Sequence, residues 1–197
     1  ARLRPYHTLY DPMCGSGTIL IEGAMMVHNI APGVNRYFSA ERWDVIDEKV
    51  WKDERNRARD LVNYDTDFIA YGSDIDEEAL EIAKINAKRA GVERKIKFEK
   101  ADIRNFEPKS EKGTVICNPP YGERLLDIEK AQKLYKIMVE KFIKKHGWSY
   151  YVISPSEEFE KEFGRKADKR RKLYNGMIKC ELHMYFKNAP RKPRPQV

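Results

Sequence analysis

The four residues Asn118-Pro119-Pro120-Tyr121 follow a short apolar segment that is typical of a buried strand. Proline has no backbone N–H, so the two prolines favour an extended backbone with free carbonyl groups. The amide oxygen of Asn118 and the carbonyl of Pro119 could accept both hydrogens of an exocyclic amino group, which would point the nitrogen lone pair at an incoming methyl group. Tyr121 could stack on a base that has left its helix. The alternative is an ordinary Asn-Pro turn.

A glycine turn near the start of the chain, Cys14-Gly15-Ser16-Gly17, separates a short strand from a helix that begins near Thr18. Glycine allows positive φ and lets the backbone approach a ligand closely. Leu20 stands where a dinucleotide fingerprint requires glycine or alanine, and no Walker lysine follows the turn. An adenosine cofactor with an amino-acid tail would instead place its ammonium beside an acid. The cofactor contacts predicted here are Asp11, Met13, Cys14, Gly15, Gly17 and Thr18.

Polar residues follow four predicted strands at their carboxyl ends, namely Asp11, Asp74, Asp102 and Asn118. Ligands of open α/β sheets bind beyond these ends. The Asp74 carboxylate could accept hydrogen bonds from both ribose hydroxyls, and Asp102 could accept one from an adenine amino group. Ile75 and Ile103 would form apolar walls, whereas Asp76 is better placed to cap a helix. A single aspartate after a strand is more often a turn or cap residue, but four such strand ends favour a binding site.

The segments that must position these residues alternate between strand and helix, which predicts an α/β domain with a doubly wound, mostly parallel sheet. The predicted strands cover residues 7–10, 68–73, 96–100, 114–117 and 148–154, and the predicted helices cover 18–28, 77–90, 127–145 and a short one from Pro155 to about Phe163. Segments 172–174 and 178–186 flank Asn175-Gly176, which predicts a terminal hairpin with an antiparallel strand. Residues 29–67, with a charged helix over about 47–63, are interpreted as an insertion after the first helix.

Composition narrows the function classes. The formal net charge of +7 favours a polyanionic partner. Basic residues cluster in three places, each of which could equally be a solvated surface: Lys141, Lys144 and Lys145; residues 165–172; and Arg191, Lys192 and Arg194 in a proline-rich tail over 189–197.

The three cysteines lie far apart and the histidines lack ligand spacing, so we expect reduced thiols, no metal and a cytoplasmic protein. No apolar run approaches the roughly 18 residues of a membrane span. The oligomeric state is left open.

The glycine turn and the Asn-Pro-Pro-Tyr motif about a hundred residues later resemble the amino-methyltransferase group of class I S-adenosylmethionine enzymes. Further segments are similar to the THUMP-associated RNA methylase family: residues 11–26, 30–33, 72–76, 86–91 and 118–125. Bacterial members of that family include guanine-N2 methyltransferases of 23S ribosomal RNA, and some members have been labelled adenine-N6 DNA methylases.

This resemblance implies a Rossmann-like class I methyltransferase domain over residues 1–188 and S-adenosylmethionine as cofactor. It implies cofactor contacts from Asp11, Gly15, Gly17, Asp74 and Asp102, and base contacts from Asn118, Pro119 and Tyr121. The implied substrate is RNA. Ribosomal RNA is favoured over transfer RNA, and DNA is less favoured than RNA. An N-terminal THUMP domain is expected to be absent from this chain. The alternatives are an adenine-N6 DNA methyltransferase, a nicotinamide-dependent oxidoreductase and a non-catalytic RNA-binding module.

Overall fold

The computed structural model of the protein describes residues 3–121, 125–142 and 146–186. Its strands are β1 (Thr8–Asp11), β2 (Ile69–Asp74), β3 (Ile96–Lys100), β4 (Gly113–Cys117), β5 (Trp148–Ser154), β6 (Lys169–Asn175) and β7 (Ile178–Tyr185). They form one sheet in the order β3-β2-β1-β4-β5-β7-β6. Pairing from β3 through β5 is parallel, and β7 runs antiparallel to both β5 and β6. The predicted doubly wound sheet with a terminal hairpin is confirmed.

Helices cover both faces of the sheet, and the alternation of side chains along each strand supplies two apolar clusters. The helices are α1 (Thr18–Val27), α2 (Glu48–Asp60), α3 (Glu77–Arg89), α4 (Leu125–Lys141) and α5 (Phe159–Glu162). Leu9 packs in one cluster with residues of α1 and α3, whereas the next residue, Tyr10, packs in the other with residues of α4 and α5. The strand ends are therefore held between two packed layers.

The crossover from β3 to β4 departs from a regular doubly wound fold. Residues 101–112, which connect the two strands, contain a single 3₁₀ turn, Ile103–Asn105, and no α-helix. The face of the sheet around Tyr10 and Tyr71 is therefore bordered by a loop and is accessible from one side. This open cleft has a volume of about 230 Å³.

Several element boundaries differ from the sequence prediction. The fifth helix begins at Phe159 rather than Pro155, because Ser154 Oγ accepts a hydrogen bond from Ser156 N and holds that segment in a turn. Strand β6 begins at Lys169 rather than Lys172, since an edge strand tolerates exposed basic side chains. Helix α4 covers 125–141, and the predicted end at Lys144 and Lys145 lies outside the described residues, as does the tail over 189–197.

The predicted insertion contains α2, whose N-terminus is capped by Asp47 through a 2.7 Å hydrogen bond from Lys49 N. Within the described residues, no helix combines the length and apolar character that crossing a membrane requires. Nor does this part of the chain bring together three or more His, Cys, Asp or Glu side chains in an arrangement suited to a metal ion.

Candidate active site

The glycine turn after β1 is tied directly to the end of β2. Gly15 N donates a 2.8 Å hydrogen bond to Asp74 Oδ2, and Cys14 N donates one of 3.0 Å to Ser73 O. Gly15 and Gly17 have φ values of +50° and +82°, a region that favours glycine. A Cβ at Gly15 would meet no atom within 4 Å, so the turn presents open backbone at the edge where ligands of such sheets bind.

The Asp74 carboxylate already has two backbone donors, Gly15 N at 2.8 Å and Asp76 N at 3.1 Å. Because a carboxylate offers about four acceptor positions, it retains capacity for two further donors such as a pair of ribose hydroxyls. Ile75 beside it is 68% exposed and can cover a planar ligand. Asp76 caps α3 by accepting hydrogen bonds from the backbone of Glu78 and Ala79, which confirms its predicted role.

Asp11 is an ionisable residue that is almost entirely buried, with 1% of its surface exposed. Burial raises its pKa to about 7; the hydrogen bond from Met13 N opposes that shift and the Asp74 charge adds to it. No cationic side chain pairs with Asp11 in the part of the chain that the structure describes. A bound ammonium group would supply the missing positive charge, so the residue fits a ligand with an amino-acid tail.

Asn118 follows the end of β4, the strand that pairs with β1. Its Oδ1 atom is buried and accepts no hydrogen bond from any described residue. A buried acceptor without a donor costs about 1–3 kcal/mol, so such an atom is commonly satisfied by an ordered water or a ligand. Pro119 beside it is buried and Pro120 is exposed. The motif therefore presents an unused acceptor at the strand end next to Asp11.

Tyr121 is partly buried, and residues of the terminal hairpin hold its hydroxyl group. Asn175 Nδ2 donates a hydrogen bond to Tyr121 Oη, and Cys180 Sγ lies 4.0 Å from the same oxygen. The sequence pattern indicates only a turn at Asn175, and its contact with Tyr121 is a finding of the structure. No sequence signal identifies it, because 54 residues separate Asn175 from Tyr121.

Asp102 and Ile103 have environments that sequence analysis did not anticipate. Both oxygens of Asp102 are held by Arg104, at 2.8 Å from its backbone N and at 3.0 and 2.7 Å from its guanidinium, which lowers the Asp102 pKa to about 2. Ile103 is only 6% exposed and packs with Tyr10 in the apolar cluster. Asp102 therefore caps the 3₁₀ turn, and an adenine amino group would have to share its oxygens with Arg104.

The cysteines near the site are packed thiols. Burial, with smaller contributions from Asp11 and Asp74, raises the pKa of Cys14 to about 12, and burial raises that of Cys117 well above its usual value. Both remain protonated at neutral pH, so neither is suited to act as a nucleophile. The Asp11 charge adds to the upward shift of both pKa values.

The residues described so far lie along one edge of the sheet, with the glycine turn, Asp11 and Asn118 on adjacent strands. The model of the RMKL-like methyltransferase domain family matches residues 1–184. The chain belongs to this family. Its seven-stranded sheet, with β7 antiparallel between β5 and β6, is accordingly that of a class I methyltransferase domain.

Two named proteins match most of the chain. It is 41% identical over 192 residues to "Putative RNA methyltransferase YpsC" of Bacillus subtilis (strain 168), which covers 98% of this chain and 49% of that protein. It is 40% identical over 187 residues to "Ribosomal RNA large subunit methyltransferase K/L" of Shewanella sp. (strain W3-18-1), covering 92% of this chain and 26% of that protein. The chain thus spans about half of the first relative and about a quarter of the second.

Among solved structures, the crystal structure of "SMU.472, a putative methyltransferase complexed with SAH" superposes with a TM-score of 0.87 at 41% identity. The match covers 94% of this chain and 49% of that one. The solved structure therefore shares the fold of this chain.

Proposed function

We propose that this chain transfers a methyl group from S-adenosylmethionine to an exocyclic amino nitrogen of a base in RNA. We further propose that the base is a guanine of 23S ribosomal RNA and that N2 receives the methyl group. The observation that carries the proposal is the buried Oδ1 of Asn118, which has no donor among the described residues and lies at the strand end beside the buried carboxylate of Asp11. The Asn118 oxygen is suited to an amine that reacts, and the Asp11 carboxylate is suited to the ammonium group of the cofactor.

The residues on β1 and β2 would hold the cofactor. Asp11 binds its ammonium group, Asp74 accepts from its ribose hydroxyls, and the open backbone at Gly15 allows its tail to approach. Met13, Cys14, Gly17 and Thr18 shape the same turn, and Ile75 covers the adenine. When bound, the cofactor supplies a methyl group that its sulfonium charge already activates, so a metal ion is not required.

The residues after β4 would hold the base. Asn118 Oδ1 and Pro119 O accept the two amine hydrogens, and Tyr121 lies against the face of the base. The nitrogen lone pair forms the new N–C bond as the C–S bond breaks, S-adenosylhomocysteine leaves, and the extra proton on nitrogen passes to water. Fixing the two reactants in line can contribute about 7–11 kcal/mol, and the two acceptors stabilise the positive charge that develops on nitrogen.

RNA is preferred to DNA as the substrate because both named relatives are described as RNA methyltransferases. The net charge of +7 suits either polyanion and does not separate them. Adenine, cytosine and guanine all carry an exocyclic amine, so the Asn-Pro-Pro-Tyr motif alone is also compatible with an adenine-N6 DNA methyltransferase.

The decisive experiment follows tritium from labelled S-adenosylmethionine into 23S ribosomal RNA taken from cells that lack the gene, with duplex DNA as the competing substrate. Nucleoside mass spectrometry of the product should detect N2-methylguanosine. N6-methyladenine in DNA, with no label in RNA, would establish the alternative function instead.

The same assay tests Asn118. Asn118→Ala should lower turnover at least 100-fold while the cofactor dissociation constant changes less than twofold, because Asn118 acts on the base. Asn56→Ala on the exposed surface of α2 is the matched control and should retain full activity. An Asn118→Ala enzyme with wild-type turnover would refute the assigned role.

A further inference from the structure

Four consecutive basic residues, Lys169-Arg170-Arg171-Lys172, form the first part of β6, and all four are exposed. Strand β6 is the outermost strand of the sheet, next to β7. Lysines on an edge strand commonly serve to prevent pairing with another sheet. Four consecutive basic residues are more than this protection requires, and their position relative to Tyr121 indicates a further role.

The two faces of β6 differ in how their charges are balanced. On one face, Arg170 Nη1 lies 3.2 Å from Glu181 Oε2, and Lys172 Nζ lies 5.3 Å from the ring centre of Tyr174. On the other face, Lys169 and Arg171 lie opposite Met184 and Leu182 of β7. Neither forms an ion pair with any residue in the described ranges, so this second face carries uncompensated positive charge.

The uncompensated face leads to the proposed active site. Side chains at alternate positions of a strand share a face, so Lys169, Arg171 and Asn175 point the same way. Asn175 is the residue that donates to the Tyr121 hydroxyl. At about 3.3 Å per residue, Arg171 lies roughly 13 Å from Asn175 along the strand and Lys169 roughly 20 Å. The two charges are therefore within a few nucleotides of the place where the base would lie.

The tip of the hairpin adds surface suited to bases. Tyr174, which lies beside Lys172 on the opposite face from Arg171, is 60% exposed, and Met177 in the turn is 97% exposed. Aromatic side chains beside a positively charged groove are the usual elements of single-stranded nucleic-acid binding, since every base can stack. A protein partner would more often require an extensive apolar surface without this concentration of one charge.

We propose that the β6–β7 hairpin is the RNA-docking surface of this domain, with Lys169 and Arg171 binding phosphates of the unpaired strand next to the target base. Through Asn175 the same hairpin positions Tyr121, so the element that binds the strand also holds one wall of the base site. This inference rests on the proposed function and names the element that brings substrate to that site.

The test replaces both side chains, as Lys169→Glu with Arg171→Glu, in the full chain. The matched control is Lys88→Glu with Arg89→Glu, an exposed pair at the end of α3 beside the opposite edge strand, which makes the same change in net charge. Binding of an unstructured 20-nucleotide RNA is measured by fluorescence anisotropy over a range of salt concentrations.

The hairpin variant should bind this RNA at least tenfold more weakly at low salt, and the slope of log affinity against log salt should decrease by about 1.4, the value for two phosphate contacts on a single strand. The control should lose less than threefold. Equal losses in the two variants, or none in the hairpin variant, would overturn the proposal. A milder variant, Lys169→Gln with Arg171→Gln, should also bind this RNA more weakly than the control variant does.

Cofactor affinity, measured by calorimetry, should be unchanged in the hairpin variants and would show that they are folded. The experiment also separates the two proposals. Absence of label in any RNA would remove the proposed function while leaving the anisotropy result in place, whereas wild-type RNA binding by the hairpin variant would remove only the docking surface.

Discussion

Asp11 illustrates how a single residue can couple ligand binding to pH. Its carboxyl is 1% exposed, and burial raises its pKa from an ordinary 3.8 to about 7. Because the folded pKa is the higher one, ionisation of Asp11 lowers the stability of the ligand-free fold as pH rises from about 4 through 7. An ammonium group beside it favours the ionised form and reverses that penalty.

Cofactor binding should therefore tighten with increasing pH up to about 7, by at most tenfold per pH unit, since one proton leaves Asp11 on binding. Calorimetry between pH 5.5 and 8 measures this slope. Asp11→Asn should bind more weakly at pH 8 and show a flatter profile, because the amide cannot titrate. A wild-type profile without slope below pH 7 would contradict the assignment of Asp11 to the ammonium.

At the scale of elements, the terminal hairpin does more than close the sheet. Its tip reaches Tyr121 through Asn175, and the buried Cys180 lies against the same hydroxyl. The glycine turn is connected in a similar way, since Asn86 of α3 donates a 3.2 Å hydrogen bond to Ser16 O. In both cases a side chain from a distant element holds a loop at the strand ends.

Replacing Asn175 with alanine should reduce kcat/KM for RNA about 5- to 10-fold, the value of one hydrogen bond of about 1–1.4 kcal/mol. Asn175 is not among the positive-φ residues, so alanine fits its backbone without strain. Cofactor affinity should not change, and Asn175→Asp should restore most of the activity because its carboxylate can accept from the Tyr121 hydroxyl. If the aspartate variant is as impaired as the alanine variant, the effect comes from the turn and not from Tyr121.

At the scale of the whole molecule, the site is built where the two halves of the sheet meet. Strand β1 lies between β2 and β4. The glycine turn leads from β1 into α1, and the Asn118 segment follows the neighbouring strand β4. The β3–β4 crossover contains no α-helix, which leaves the face around Tyr71 bordered only by a loop beside Asp11. Ligand binding at this junction should stabilise the entire domain.

Addition of S-adenosylmethionine at about 100 times its dissociation constant should raise the free energy of unfolding by about 2.7 kcal/mol, with a corresponding increase in Tm. Differential scanning fluorimetry measures the shift, and NAD at the same concentration should give none. A shift with NAD and none with S-adenosylmethionine would favour the oxidoreductase alternative.

Much of this protein could be predicted from its sequence. Strand and helix alternation, the Asn175-Gly176 hairpin signal and the Asp76 cap depend on local periodicity and short-range hydrogen bonds, so the sheet type and most boundaries followed. The same holds for bringing Asp11, Asp74 and Asn118 to one edge, because the carboxyl ends of parallel strands always share an edge. Predicting these features does not require knowing which residues far apart in the sequence are in contact.

Only the tertiary structure decided the environment of each site residue. The lack of a cationic partner for Asp11 within the described ranges, the Arg104 contacts of Asp102 and the bond from Asn175 to Tyr121 all depend on side chains that folding brings together. Burial and hydrogen bonding are properties of the packed assembly, whereas a sequence pattern records only what lies a few residues away. The sequence alone therefore determined which residues lie at the ends of the parallel strands, whereas packing brought Asn175 to Tyr121 and determined what charge and hydrogen-bonding capacity each site residue retains.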